Sequence, residues 1–209
     1  MNTTTGKIGV RAYAFIAVLA LLLTMVAAPT ILQALVGAAL VVVLVWLSDI
    51  DIATRRLPNK IVGGLAIFGL IAVGASHVAN AFGYPAAAPV APVYVSPGVD
   101  ALIGAALASL PPLVLAILYR LFRGRPGFGA GDIKLLAVLG LYLGLYAVFV
   151  LPMAALFSLV FIGARKFFTR SEVHLSTTFP FGPFIAAASI LMIVWGAAIW
   201  SLVAGLLLP

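Results

Sequence analysis

The chain has 209 residues, of which 65% are hydrophobic and 8% charged, with a mean hydropathy of +1.26. Soluble domains carry about 25% charged residues, so this composition excludes one and implies a polytopic membrane protein with the bilayer as its main solvent. The net charge of +7 does not imply a nucleic-acid partner, because the basic residues fall in short stretches between apolar runs, the pattern that orients membrane proteins.

Seven apolar segments follow in chain order, at 11–28, 30–48, 60–80, 99–120, 132–145, 147–164 and 182–207. The longer ones reach the ~20 residues needed to cross ~30 Å of hydrocarbon. The stretch from Ile133 to Ala164 is long for one span and short for two, and Gly144 offers the turn between two short helices. The predicted fold is an all-α transmembrane bundle, a single membrane-embedded domain over 1–209. Span 1 has the basic start and apolar centre of a signal peptide, but Pro29 directly after Ala27-Ala28 disfavours cleavage, so it is read as a retained helix.

Charge sets the orientation. Lys7 and Arg11 open span 1. Arg55, Arg56 and Lys60 follow span 2, Arg120, Arg123 and Arg125 follow span 4, and Arg165, Lys166 and Arg170 follow span 6. Residues 81–98 hold four prolines and no charge. An inside amino terminus and an outside carboxyl terminus satisfy every loop.

Five acidic residues in the whole chain make each one informative, since ionisable groups at membrane depth are costly and usually functional. Asp132 closes Gly129-Ala130-Gly131-Asp132 just before a predicted helix. A helix start favours a carboxylate, so a capping role is the plain alternative to chemistry. Asp51 follows span 2 and has Arg55 four residues on, a favourable helical pairing. Asp49 lies two residues away, points elsewhere on a helix, and is expected to be a solvated or interfacial carboxylate. Leu57-Pro58-Asn59 ends one element and starts the next, since Pro suits a first helical position. Asp100 reads as an outer-interface residue and Glu172 as a solvated loop carboxylate. His77 and His174 have no partner in sequence. Pro111-Pro112 is expected to kink span 4. With no cysteine there is no disulfide and no thiolate nucleophile. No cluster has metal-ligand spacing, so no metal or cofactor is expected.

Taken together, the motifs resemble the type IV prepilin peptidases, membrane aspartic proteases of the Gly-x-Gly-Asp type. One motif is Asp51 with six residues between it and Pro58-Asn59, a spacing that Asp49 does not fit. The second is Gly129, Gly131, Asp132, Lys134 and Leu135, and the third is Pro180-Phe181-Gly182-Pro183 opening the last span. The resemblance covers about 30–205, with span 1 an extra helix. It implies Asp51 and Asp132 as the catalytic pair, supported by Gly129, Gly131, Lys134, Pro58 and Asn59, with Gly182 and its prolines architectural. It implies a prepilin or pseudopilin substrate, membrane lipid around the chain, a cytoplasmic (inner) membrane location and an active site on the cytoplasmic side. Many family members carry an insert with paired cysteines associated with methyl transfer. Here only Pro29-Thr30 separates spans 1 and 2, so cleavage without methylation is expected.

Other readings remain. The signal-peptide-peptidase and presenilin type shows Tyr-Asp and Pro-Ala-Leu, where this chain has Ile50-Asp51 and no Pro-Ala-Leu. A proton- or ion-coupled transporter would need polar groups at mid-membrane, and the span interiors show little beyond Ser, Thr and Pro. A non-catalytic secretion or pilus assembly component would have no need of both aspartates in register.

Overall fold

The computed structural model describes residues 10–27, 31–83, 91, 94–124, 127–169 and 180–207. The described residues form seven α-helices: α1 (Val10–Ala27), α2 (Ile31–Thr54), α3 (Asn59–Ala81), α4 (Pro97–Arg123), α5 (Ala130–Leu143), α6 (Val150–Thr169) and α7 (Gly182–Leu207). A 3-10 helix over Gly144–Phe149 joins α5 to α6, and no strand occurs among the described residues. Five stretches are long and apolar enough to cross a membrane: Gln33–Thr54, Asn59–Ala81, Pro97–Arg123, Gly182–Leu206 and the continuous Ala130–Phe167. Phe15–Ala27 is a shorter apolar helix. The protein is a multi-pass membrane protein.

The Ala130–Phe167 stretch breaks where the glycine allowed it. Gly144 has φ +52° with ψ −134°, a mirror-image extended conformation that glycine adopts readily and residues with a side chain avoid. α5 has 14 residues and therefore runs about 21 Å, less than a hydrocarbon core. It compensates by burial: Leu135, Leu136, Leu139, Tyr142 and Leu143 are all enclosed. Two glycines bring α4 against it. A Cβ on Gly104 would strike the Gly144 carbonyl, and one on Gly140 would strike the Ala105 backbone. Tyr142 then donates its hydroxyl to the Leu65 carbonyl of α3 at 2.7 Å, which satisfies a polar group that lipid could not.

α1 is tied to α2 through Thr24, whose hydroxyl lies 2.9 Å from the Ala34 carbonyl. Its methyl sits where Gly37 leaves room, 3.1 Å from the position of a Cβ there. α4 runs as one helix through Pro111-Pro112, the pair expected to kink it.

The bundle has two chemically different ends. At one, the rings of Tyr94, Tyr146 and Trp200 meet with centroids 5.4–6.4 Å apart. Asp100 is fully buried there and accepts the main-chain N–H groups of Tyr94 and Val95. The expected outer-interface residue is therefore an internal staple of the loop before α4. The other end gathers the end of α2 and the starts of α3, α5 and α7, and it carries the candidate chemistry.

Candidate active site

Each side chain here is placed by a helix terminus. α2 continues to Thr54, six residues beyond the predicted span, so Asp49 and Asp51 lie on its last turns rather than in a loop. Two residues turn a helix by about 200°, yet both are buried, Asp49 at 8% exposure and Asp51 at 5%. Asp49 is thus not a solvated carboxylate, because neighbouring elements enclose α2 on both sides at this depth. Arg55 ends the helix in the left-handed conformation, φ +54°, with its amide donating to the Asp51 carbonyl at 2.8 Å. The chain then reverses through Leu57, and Pro58 stands as the residue preceding α3, with Asn59 its first residue.

α5 opens opposite. Gly129 precedes the helix without a side-chain cap, and a Cβ there would fall 2.6 Å from Oδ2 of Asp132. Glycine leaves that space to the carboxylate. A Cβ on Gly131 would sit 3.2 Å from Leu57 Cβ, so the α2–α3 turn packs against the glycine preceding Asp132. Lys134 donates from Nζ to Oδ1 of Asn59 at 3.2 Å, linking the start of α5 to the start of α3. These contacts bring Asp132, half-buried, close enough to Asp51 for the two carboxylates to interact through their charges.

α7 closes the site. The main-chain N–H of Gly182 donates to Oδ2 of Asp51 at 2.9 Å. Phe181 packs edge-on against Phe128, centroids 5.4 Å apart, so the segment before α7 rests on the segment before α5. Of the seven predicted site residues, Asp51, Asp132, Gly129, Gly131, Lys134, Pro58 and Asn59 all lie at this end of the bundle. Gly182 was read as architectural, yet it touches Asp51 directly. The clue was in the sequence: a glycine between two prolines at the mouth of an apolar helix. Asp100 belongs to the far end, and His77 lies near the far end of α3. His174 and Glu172 lie outside the described residues. Among the described residues no three His, Asp or Glu side chains gather.

Two carboxylates from the ends of different helices that feel each other's charge can share one proton between them. Residues 38–165, more than half of the chain, match the type IV leader peptidase family. The chain belongs to that family. It is 34% identical over 191 residues to a prepilin leader peptidase/N-methyltransferase of Aeromonas salmonicida, covering 90% of this chain and 59% of that one. It is 39% identical over 109 residues to the protein of that name from Aeromonas hydrophila, covering 51% and 36%. A Pseudomonas putida protein of the same name is 34% identical over 172 residues, covering 81% and 52%. The chain spans about half the length of these curated relatives. No solved structure matches.

Proposed function

We propose that this chain is an aspartic endopeptidase that removes the leader peptide of prepilin-like proteins, with Asp51 and Asp132 as its catalytic residues. The observation that carries the reading is the meeting of these two carboxylates, from the end of α2 and the start of α5, within electrostatic reach of each other. The family and the names of its relatives supply the substrate class.

In this reading the pair holds one proton. The ionised carboxylate takes a proton from a water whose oxygen attacks the scissile carbonyl, while the protonated carboxyl donates to the carbonyl oxygen. The tetrahedral intermediate collapses as the carboxyl that gained a proton delivers it to the leaving amide nitrogen, while the other carboxylate takes a proton back from a hydroxyl of the intermediate. The C–N bond breaks, the new C=O forms, and the pair returns with a single proton. Lys134 and Asn59 hold the α3 and α5 starts in register, and Gly129 and Gly131 give Asp132 and the Leu57 turn the space they occupy.

The proposal extends to location. The end that carries the two carboxylates also carries Arg55, Arg56, Lys60, Arg120, Arg123, Arg165 and Lys166. By the positive-inside rule this is the cytoplasmic face of the inner membrane, where a cytoplasmic leader meets an apolar segment. The whole chain acts as one membrane-embedded peptidase domain surrounded by lipid. The proposal covers leader cleavage and not methyl transfer, since the chain has no cysteine to form the paired motif associated with it. Co-expression with a prepilin tests it: the wild-type chain should convert the precursor to the shorter form on a gel, and Asp51→Asn or Asp132→Asn should leave the precursor intact.

A further inference from the structure

Resting on the peptidase reading, we propose that Gly182 is a positioning residue that makes the two aspartates unequal: its main-chain N–H holds Asp51 as the ionised, proton-accepting member and leaves the shared proton on Asp132.

The start of α7 is built to deliver one amide. Helix starts leave their first N–H groups without intrahelical partners. Here Gly182 is the first residue of α7, and Pro183 after it has no N–H at all. The next two amides, of Phe184 and Ile185, both donate to the Phe181 carbonyl, at 3.1 and 3.2 Å. The Gly182 N–H goes to Asp51, at 2.9 Å and buried. The positive end of the helix dipole thereby falls on that carboxylate. An N–H bond to an ionised oxygen is roughly twice as strong as one to a neutral acceptor. Burial disfavours the anion on either carboxyl, and the one holding such a donor has that cost offset.

Glycine is also required for the approach itself. A Cβ at position 182 would stand 2.7 Å from Oδ2, 3.1 Å from Cγ and 3.2 Å from Cβ of Asp51, so any side chain would push the carboxylate off the amide. The position of the amide is coupled to the other aspartate, because Phe181 packs on Phe128, four residues ahead of Asp132. Ionisable groups stand on three of the surrounding elements. On α2 these are Asp49, with Arg55 and Arg56 just past its end; α3 brings Lys60, and α5 brings Asp132 and Lys134, the latter engaged with Asn59. α7 brings no charge, only the amide.

The test removes the N–H without adding a side chain. Glycolic acid is placed at position 182 of the full chain by nonsense suppression, turning that amide into an ester without adding a Cβ. Because an ester also weakens the Phe181 carbonyl as an acceptor, the hydroxy-acid analogue of phenylalanine at position 184 is the control. It removes a donor to Phe181 and none to Asp51. Losing a hydrogen bond to a charged group is expected to lower kcat about tenfold to a hundredfold at position 182, with KM within twofold. The acid limb of the pH–activity profile should move to higher pH, because Asp51 would need less acidic conditions to ionise. The position 184 variant should keep the wild-type limb. Gly182→Ala should behave as the ester does while keeping wild-type helix content. A slower position 182 ester with an unmoved acid limb would reduce Gly182 to a packing role and overturn the inference, as would an ester of wild-type rate. If the wild-type chain cleaves no prepilin, the inference falls with the peptidase reading. If the wild type cleaves and the ester does not differ from it, the inference falls alone.

Discussion

Nζ of Lys134 donates to Oδ1 of Asn59 at 3.2 Å, joining the first turns of α5 and α3 on either side of the turn that follows Asp51. The bond is solvent-exposed, so its direct energy is small, about 0.2–1 kcal/mol for such surface pairs. Its effect is positional. Lys134→Met and Asn59→Ala should each slow prepilin cleavage about twofold to fivefold, and the double variant should be no slower than the worse single one. Independent, multiplying losses in that cycle would show that the two side chains act separately.

Gly129 and Gly64 make a matched pair of tests. A Cβ at 129 meets the Asp132 carboxylate at 2.6 Å, whereas one at 64 meets nothing within 4 Å. Because the carboxylate can swing aside, Gly129→Ala should fold normally while displacing Asp132. Misplacements of about 1 Å cost on the order of a hundredfold in rate. Gly64→Ala, in the interior of α3, should leave activity unchanged. Equal activity of the two variants would mean that Asp132 tolerates the displacement or plays no chemical part.

Asp100 gives a stability prediction separate from activity. It is fully buried at the opposite end and accepts the Tyr94 and Val95 amides. Asp100→Ala should strand both donors and lower stability by about 2–4 kcal/mol. The loss should appear as a lower thermal midpoint in detergent, with cleavage retained below that midpoint. An unchanged midpoint would mean that the loop before α4 finds other acceptors.

Much of this was written in the sequence, and for identifiable reasons. Hydropathy located the helices to within a few residues because lipid-facing and core-facing side chains are both apolar, leaving only the ends ambiguous. Gly144 was recognisable as the turn because few other residues suit a positive φ there. The span at 99–120 missed the start of α4 by two residues, although Ser96-Pro97 is a start signal: the Ser96 hydroxyl accepts the Val99 amide at 3.3 Å, and proline suits the first helical position. The end of α2 was misjudged because Ser48, Asp49 and Asp51 lower the local hydropathy, while tertiary packing keeps the chain helical and buries both carboxylates. The contact of Gly182 with Asp51 spans 131 positions; no local pattern encodes it, although the pairing of two motifs in one chain hinted that they meet.

Orientation is tested by reporter fusions. Those placed after Asn59, Arg125 and Arg170 should report the cytoplasm, and those near Ala91 the opposite side, as the basic residues require. A cytoplasmic signal at Ala91 would place the two carboxylates on the wrong face for a cytoplasmic leader.

The shared-proton carboxylate pair is tested most directly with purified chain, a detergent-solubilised prepilin and mass spectrometry of the products. The wild-type chain should release one leader fragment, with chelator present or absent. Asp51→Asn and Asp132→Asn should each release none at unchanged thermal midpoint, and Asp49→Asn should retain substantial activity. Cleavage that survives either Asp51→Asn or Asp132→Asn, or that disappears when chelator is added to the wild type, would contradict the assignment.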